Sequence, residues 1–430
     1  MLFMEMRLGK TLVTVRGARA CGYQKILVLA PYSAVNSWVH ELTQEYEPFT
    51  LVEGSRAKRV NTLRQAMVSA KYSWVLTNPT IWRSVPEIAG VDWDLVIFDE
   101  SASYIRNPKA KITKWSRKFR PGPRAILAGN PDPQERLYDY YPQVSWAESG
   151  PWLGAKDHWT FLNRFFVKRG FRWYPRDRTE DRIKRDLAER AFVLLRKDAL
   201  DVPKTLVKRI VPLPPALRRV YTRAEDEYVL DLGGGEEKQT KWTVARYTWL
   251  RQIASGFVDH IARGQHKTAE LLELAFGELH REPLVICCNT HDEISESTRA
   301  LTEEGRGVLQ IHGRMQPSQQ RKNAIAFQEG VVNTLVAQTD SIATGTDLDR
   351  ADTIIYYSPP LSVLAWTQSQ SRILGALEKR GAQIISLLGE DTVEEDIYHA
   401  ITKKEKGSRG FLGDIRDASL ARRGGAAYLH

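Results

Sequence analysis

Short, continuous apolar runs recur through the first third of the chain, and each ends at a polar or glycine-containing loop. They occupy residues 25–31, 74–77, 94–100 and 124–129, and stretches with helical periodicity, such as 33–45 and 56–69, separate them. Strands that are apolar at every position are typical of a parallel sheet that is covered on both faces. The pattern therefore predicts an α/β domain, with ligands bound beyond the carboxyl ends of the strands.

A second set of apolar runs predicts a second α/β domain. These runs occupy residues 284–288, 307–311, 334–337, 353–357 and 383–388. The region before them is helical, aromatic and charged; its prolines predict an extended connector, and the glycines at 233–235 predict a flexible turn between helices. We therefore predict a first lobe at 1–148, helical protrusions and a connector at 149–263, a second lobe at 264–405, and a C-terminal tail at 406–430 that is weakly ordered at its end.

The composition favours a globular protein with a polyanionic partner. The 430 residues suffice for two or three domains, and the formal net charge is +10 with a pI near 9.3. No run of 18 apolar residues occurs, so no membrane span is expected. Met1 leads into an apolar strand rather than a signal peptide, and three cysteines cannot form a secreted disulfide framework. A reducing cytoplasm fits these features.

Basic residues crowd two segments of the chain. The first crowd consists of Lys109, Lys111, Lys114, Arg117, Lys118, Arg120 and Arg124. The second runs from 164 to 185 and is interleaved with Trp159, Phe161, Phe165, Phe166, Phe171, Trp173 and Tyr174. Basic side chains neutralise phosphates and aromatic rings stack on bases, which predicts nucleic-acid binding. The alternative is a helical subdomain whose aromatic residues form its core and whose arginines are solvated.

The first stretch of the chain is typical of a phosphate-binding loop. Gly9-Lys10-Thr11 follows an apolar strand and precedes an amphipathic run at 12–20. In such a loop, backbone amides at a helix N-terminus bind an anion, the lysine reaches the terminal phosphates, and the hydroxyl holds Mg²⁺. Met4 stands where the full pattern has its first glycine. A chance tripeptide on a surface helix is therefore the alternative.

A carboxylate pair follows another strand. Asp99-Glu100 ends the apolar run at 95–98, downstream of Gly-Lys-Thr. Hydrolysis of a nucleoside triphosphate needs one carboxylate to anchor Mg²⁺ and another to orient the attacking water. We assign the first role to Asp99 and the second to Glu100. By itself the pair could cap a loop, but together with a phosphate loop on the same sheet it favours a nucleotide site.

The order of these signals resembles the SNF2 group of superfamily 2 helicase-like ATPases. The matching segments, in chain order, are 6–11, 27–31 with Trp38 and Glu41, 99–102, 105–111, 127–131, 195–198, 202–204, 250–257, 311–313 with Arg321 and Phe327, 341–348 and 368–372. They cover nearly the whole chain, which is far more specific than any one motif.

The resemblance implies two RecA-like parallel-sheet lobes with helical protrusions between them, ATP with Mg²⁺ in the cleft, and double-stranded DNA bound through its phosphates. The residues implied are, for catalysis, Asp99, Glu100, Gln368 and Arg372; for the nucleotide, Leu8, Gly9, Lys10, Thr11, Gly345 and Asp347; for Mg²⁺, Thr11 and Asp99; and for DNA, Pro31, Lys109, Lys111, Asn130, Arg314, Arg321 and Thr344. The expected protein is a DNA-stimulated ATPase that translocates on duplex DNA in the cytoplasm of a bacterium or a phage-infected host cell.

Several positions depart from the family pattern. Gly375 stands where motif VI has a second arginine, Asn130 replaces threonine in motif III, and Ser101-Ala102 replaces the commoner pair that ends in histidine. The family's Gln-bearing segment, which recognises adenine, is expected to be absent before Met1. The alternative is therefore a degenerate relative that binds DNA or a protein partner with little or no ATPase activity. A strand-separating helicase is a variant of the first hypothesis.

Overall fold

The computed structural model describes residues 1–68, 73–132, 135–199, 203–233, 236–240, 242–343, 348–374 and 381–422. The chain forms two compact units: unit 1 contains residues 1–199 and 404–430, and unit 2 contains residues 200–403. Each unit is built on a parallel sheet covered by helices, so the predicted fold class of two parallel-sheet α/β lobes is confirmed.

Unit 1 contains nine strands and nine complete helices within its described residues, besides three short 3₁₀ turns. The strands are β1 (Leu2–Met4), β2 (Lys25–Leu29), β3 (Phe49–Leu51), β4 (Ser73–Thr77), β5 (Leu95–Asp99), β6 (Arg124–Ala128), β7 (Phe166–Arg169), β8 (Arg172–Pro175) and β9 (Phe192–Leu194). The helices are α1 (Lys10–Ala20), α2 (Tyr32–Gln44), α3 (Arg56–Val68), α4 (Ser101–Tyr104), α5 (Lys111–Ser116), α6 (Tyr140–Ala147), α7 (His158–Phe165), α8 (Thr179–Arg190) and α9 (Arg196–Ala199).

Seven strands of unit 1 form one parallel sheet in the order β3-β4-β2-β5-β6-β1-β9. Alternate residues of each strand enter two different cores: Leu27 and Phe98 pack on one face, and Ile26 and Ile97 on the other. Because both faces are buried, the strands are apolar at every position. β7 and β8 pair outside this sheet as an antiparallel hairpin.

Unit 2 has ten strands within its described residues. They are β10 (Lys204–Val211), β11 (Val229–Gly233), β12 (Glu236–Gln239), β13 (Phe257–Val258), β14 (Ile261–Ala262), β15 (Leu284–Cys288), β16 (Val308–Ile311), β17 (Thr334–Gln338), β18 (Thr353–Tyr356) and β19 (Ala382–Gly389). Its helices are α10 (Pro215–Asp226), α11 (Thr243–Ala254), α12 (His266–Phe276), α13 (His291–Glu303), α14 (Pro317–Gln328), α15 (Thr339–Ala343) and α16 (Val363–Ser371), followed by the start of α17 (Val393–Arg422).

The large sheet of unit 2 is parallel throughout, in the order β10-β19-β18-β15-β17-β16. Cys287 and Cys288 are fully buried in β15 and face opposite cores. Burial raises the pKa of both thiols. A core role for the two cysteines fits this environment.

The middle of the chain differs from the predicted helical protrusion. It contributes β9 to the sheet of unit 1 and β10 to the sheet of unit 2. The glycine segment was predicted as a turn between helices, and that prediction is wrong: β11 and β12 flank residues 234–235 as an antiparallel hairpin. β11 and β12 have only five and four residues, and runs this short carry too little periodicity to separate a strand from a helix.

The segment predicted as a tail is largely helical. α17 has 30 residues, and its part beyond residue 403 belongs to unit 1. There, Arg409 Nε donates to Glu5 Oε1 at 2.8 Å, and Ser408 Oγ donates to the Asp132 carbonyl at 3.1 Å. Residues 423–430, at which weak order was predicted, lie outside the described residues. Among the described residues, no helix combines the length and apolarity that crossing a bilayer requires.

Candidate functional site

The first element of the site is the loop that joins β1 to α1. β1 lies between β6 and β9 in the parallel sheet, and the loop leaves from the carboxyl end of β1. The loop therefore begins at the carboxyl edge of the sheet. Gly9 is the N-cap residue of α1 and has a φ of 74°, a left-handed conformation that glycine adopts at little cost. No side chain within the described ranges caps α1, which leaves its first-turn amides available to an anion. Glu5 anchors the loop, because its carboxylate accepts a hydrogen bond of 2.6 Å from the backbone amide of Arg196.

Lys10 and the carboxylate pair meet at this edge. Lys10 Nζ is buried without a hydrogen-bond partner among the described residues, and it lies 3.5 Å from Glu100 Oε1. Asp99 is 5% exposed; burial raises the pKa of its carboxyl, and the positive charge of Lys10 opposes that rise. A Cβ on Gly129 would lie 3.9 Å from Lys10 Nζ, so β6 also ends against the loop. The structure thus brings together the phosphate loop and the Asp-Glu pair predicted from the sequence.

The backbone is strained where the pair leaves its strand. Glu100 has a φ of 49° and a ψ of 47°, and α4 starts at the next residue. A left-handed conformation costs a residue with a Cβ on the order of 1–2 kcal/mol. Strained residues cluster at functional sites, where the turn can direct a side chain away from the line of the strand. In this case the turn points the Glu100 carboxylate toward Lys10.

The donor set fits a magnesium–nucleotide ligand. Lys10 supplies a buried cation for phosphate oxygens, and Gly9 leaves the α1 amides uncapped. The Thr11 hydroxyl and the Asp99 carboxylate are oxygen ligands of the kind that Mg²⁺ prefers. Glu100 is partly exposed, as a group that must contact a water molecule should be. The roles of these residues and of Leu8 stay predictions.

Trp38 fixes the orientation of Asp99. Its indole Nε1 donates to Asp99 Oδ2 at 2.9 Å, and the Glu100 amide donates to Asp99 Oδ1 at 2.9 Å. The Trp38 ring is fully buried against Trp74, with ring centroids 6.1 Å apart. The sequence indicated Trp38 only as part of a motif. Its contact follows from the sheet order, because α2 begins beyond the end of β2, the neighbour of β5.

A second buried network connects the Asp-Glu pair to the loop after β6. Ser101 Oγ donates to Gln143 Oε1 at 2.7 Å, and Gln143 Nε2 donates to the Pro131 carbonyl at 2.8 Å. Both side chains are fully buried. Gln143 lies in α6, far from any motif that the sequence indicated, and no pattern in the sequence singles it out. The Ser101 hydroxyl thus links the Asp-Glu pair to α6, while Ala102, also buried, stands where the family pattern has a histidine.

The residues predicted to bind DNA in unit 1 lie in several environments. Lys109 and Lys111 are exposed at the start of α5, and Pro31 is half-buried at the N-cap of α2. Asn130 uses its side chain locally, because Asn130 Oδ1 accepts the Asp132 amide at 3.1 Å. Arg124, from the same basic crowd, is a structural residue that donates to three backbone carbonyls.

Unit 2 contains the remaining predicted site residues. Gln368 is half-buried in α16, and Arg372 is the C-cap residue of that helix. Arg314 is exposed after β16, and Arg321 is exposed on α14. The predicted residues Thr344, Gly345 and Asp347 lie outside the described residues, as does the departure at Gly375. The roles of all these residues stay predictions.

The first helix of this parallel sheet follows Gly-Lys-Thr, and a buried lysine lies beside a strand-terminal Asp-Glu pair. This arrangement is typical of the class of phosphate-loop nucleotide hydrolases. The family of SNF2-related domains matches residues 1–254, and the helicase conserved C-terminal domain matches residues 266–375. The first match covers more than half of the chain, which therefore belongs to the SNF2-related family.

Curated relatives share modest identity with the chain. DNA excision repair protein ERCC-6 of Mus musculus is 24% identical over 92% of this chain and 30% of its own length. The ISWI chromatin-remodeling complex ATPase ISW1 of Saccharomyces cerevisiae is 29% identical over 30% of this chain and 12% of its own length. The chain thus spans less than a third of either relative. The Sulfolobus solfataricus SWI2/SNF2 ATPase core in complex with dsDNA aligns over 98% of this chain and 90% of that chain, with a TM-score of 0.42 and 18% identity.

Proposed function

We propose that this chain is a DNA-stimulated ATPase that translocates on double-stranded DNA in the cytoplasm of a bacterium or of a phage-infected cell. The observation that carries the proposal is the buried Lys10 ammonium, which lies 3.5 Å from Glu100 and beside Asp99. Among the described residues, the Lys10 ammonium has no hydrogen-bond partner, and the charges that it faces are the carboxylates of Asp99 and Glu100. The site therefore suits terminal phosphates.

Each residue has a separate task in the proposed reaction. Lys10 and the uncapped amides of α1 bind the phosphates, and Thr11 and Asp99 hold Mg²⁺, which neutralises phosphate charge when it is bound. Glu100 accepts a hydrogen bond from the attacking water and orients it. Trp38 keeps Asp99 in one rotamer. Arg372 and Gln368, which lie in unit 2, are the other residues proposed for catalysis.

Two further observations support DNA as the activator. The net charge of +10 attracts a polyanion, and Lys109 and Lys111 are exposed. The relatives include an ATPase of a chromatin-remodeling complex and a DNA excision repair protein. Contacts with phosphates carry little sequence information, so we expect weak sequence specificity. The other residues proposed to contact DNA are Arg314, Arg321, Pro31, Asn130 and Thr344.

The test is ATP turnover by the full chain, with and without duplex DNA. We expect stimulation by DNA, and we expect Lys10→Ala and Glu100→Gln to abolish it. Lys58→Ala and Glu53→Gln, which change exposed residues outside the site, are the matched controls and should keep native turnover. Turnover that is absent, or that survives the two site substitutions, would refute the proposal. Translocation would appear as displacement of a third strand from an intact duplex.

A degenerate, DNA-binding relative is the second candidate. The observation in its favour is Gly375, which replaces an arginine of motif VI. Loss of an arginine finger lowers a phosphoryl-transfer rate by roughly 10³–10⁵. This candidate predicts that the chain binds duplex DNA but hydrolyses ATP no faster with DNA than without it. Gly375→Arg would then create DNA-dependent turnover, whereas a native chain that is already active would exclude the candidate.

A further inference from the structure

The antiparallel hairpin of unit 1, β7–β8, presents a basic and aromatic surface that the proposed ATPase site does not use. The register pairs Val167 with Tyr174 and Arg169 with Arg172. Side chains alternate between the two faces of a strand, so Arg169, Arg172 and Tyr174 share one face of the hairpin. The opposite face includes Phe166, which is 1% exposed and packs in the core. The face with the arginines is therefore the outer one.

The hairpin tip exposes an aromatic ring to solvent. Gly170 and Phe171 form the two-residue turn, and Gly170 has the positive φ of 58° that tight hairpin turns use. Phe171 is 103% exposed, Trp159 beside the hairpin is 64% exposed, and Tyr174 is 42% exposed. The structure thus divides the aromatic cluster seen in the sequence: Phe161, Phe165 and Phe166 form core, and these three rings do not. Phe171 lies in the turn and Tyr174 on the strand that follows it, and contiguous exposed apolar surface of this kind is typical of a binding site.

The basic side chains of the hairpin have no acidic partner among the residues that the structure describes. Residues 166–176 include four basic side chains and no acidic one. Among the described residues, no carboxylate pairs with Lys168, Arg169 or Arg172. Like charges directly opposite each other on paired strands destabilise a hairpin, and Arg169 and Arg172 are such a pair. A polyanion bound across the outer face would remove this repulsion.

We propose that the outer face and tip of the β7–β8 hairpin bind single-stranded DNA, with Arg169 and Arg172 on the phosphates and Phe171 and Tyr174 stacked on unpaired bases. Aromatic rings can stack only on bases whose faces are open, and the base faces of a duplex are covered by their neighbours. The Arg169 guanidinium already lies 5.8 Å from the Tyr174 ring, which orders the arginine beside the stacking position. The inference rests on the proposed DNA-dependent function and adds a preference for DNA that has an unpaired strand.

The experiment measures binding of the full chain, without ATP, by fluorescence anisotropy. The probes are labelled oligothymidine of about 16 nucleotides, a length that spans one single-strand site, and a blunt duplex. Phe171→Ala with Tyr174→Ala should weaken oligothymidine binding by at least about tenfold and leave the salt dependence unchanged. Arg169→Gln with Arg172→Gln should lower the slope of log K against log salt by about 1.4, or about 0.7 for each phosphate contact. Both pairs should leave duplex affinity within about twofold of the native value, since the phosphate contacts proposed for the duplex lie elsewhere.

Tyr46→Ala is the matched control, because Tyr46 is 94% exposed, lies outside the hairpin and has Glu45 and Glu47 as its neighbours in the chain. It should change nothing. A native chain that binds neither probe would overturn the proposed function as well. Native binding of oligothymidine that the hairpin variants keep, or an equal loss of duplex binding, would overturn the hairpin proposal alone. Displacement of oligothymidine from the native chain by polyglutamate, with equal loss in the hairpin variants, would assign the surface to an acidic protein instead.

Discussion

Trp38→Phe tests whether the orientation of Asp99 depends on one indole N–H group. The substitution keeps an aromatic ring in a fully buried position and removes the hydrogen bond of 2.9 Å to Asp99 Oδ2. Of the two donors to the carboxylate that the described residues supply, the Glu100 amide remains. The carboxylate then loses both a fixed rotamer and part of the stabilisation of its charged form.

The size of the effect follows from the charge of the acceptor. A hydrogen bond to a charged group contributes about 1.5–3 kcal/mol. Asp99 must be ionised to hold Mg²⁺, so this free energy is lost from the metal-bound state. A factor of ten corresponds to about 1.4 kcal/mol, so the apparent affinity for Mg²⁺ should fall by about 10- to 150-fold. Saturating Mg²⁺ should restore much of the turnover.

The assay is ATP turnover across a range of free Mg²⁺, together with direct Mn²⁺ binding in the presence of ADP, followed by electron paramagnetic resonance. Trp74→Phe is the control, because Trp74 is equally buried and packs on Trp38, but its N–H group donates to Glu47 at 3.3 Å. Both variants lose the same ring volume. If both shift the Mg²⁺ dependence equally, or neither does, the hydrogen bond has no role in positioning Asp99.

Three further predictions concern stability. Burial raises the pKa of Asp139 to about 6 from its usual 3.8, so the folded state binds a proton between these pH values and the free energy of unfolding falls as pH rises through them. Asp139→Asn should remove that pH dependence and raise the free energy of unfolding at pH 8 by up to about 3 kcal/mol, measured by urea unfolding. Burial lowers the pKa of His266 to about 4 from 6.5, so the stability that the neutral imidazole contributes is lost as pH falls from 6.5 to 4. The melting temperature of His266→Gln should depend less on pH in this range than that of the native chain. Lys267 and Glu394 form a fully buried ion pair, so Lys267→Met should cost about 3–5 kcal/mol, and adding Glu394→Gln should recover most of it; additive losses in urea unfolding would contradict the pairing.

The sequence predicted the parts of the fold that depend on local pattern. Both sheets were identified because residues such as Ile97 and Phe98 are buried on opposite faces, which makes each strand apolar throughout. The sequence also predicted that the phosphate loop and the Asp-Glu pair share one sheet. The Lys10–Glu100 contact lies at the edge where the carboxyl ends of its parallel strands meet. These features depend on the spacing of residues along the chain.

Other features depend on contacts between distant residues and were not predictable. Gln143 meets Ser101 across 42 positions, and no periodicity indicates a buried amide in that place. The β7–β8 hairpin was hidden because a mixture of arginines and aromatic residues suits a helix, a strand or a loop equally well. Which rings are core and which are exposed is decided by strand register, and register needs the partner strand.

The end of α17 makes unit 1 discontinuous along the chain, whereas unit 2 is a continuous insertion between residues 200 and 403. Leu412 and Ile415 belong to the same apolar cluster as Phe3 and Ile126. During synthesis, unit 2 can therefore finish folding while unit 1 still lacks part of its core. The order of assembly is then the reverse of the usual one, because the first residues translated reach their final packing last. A fragment that ends at residue 199 would expose an apolar groove, and such a surface promotes aggregation.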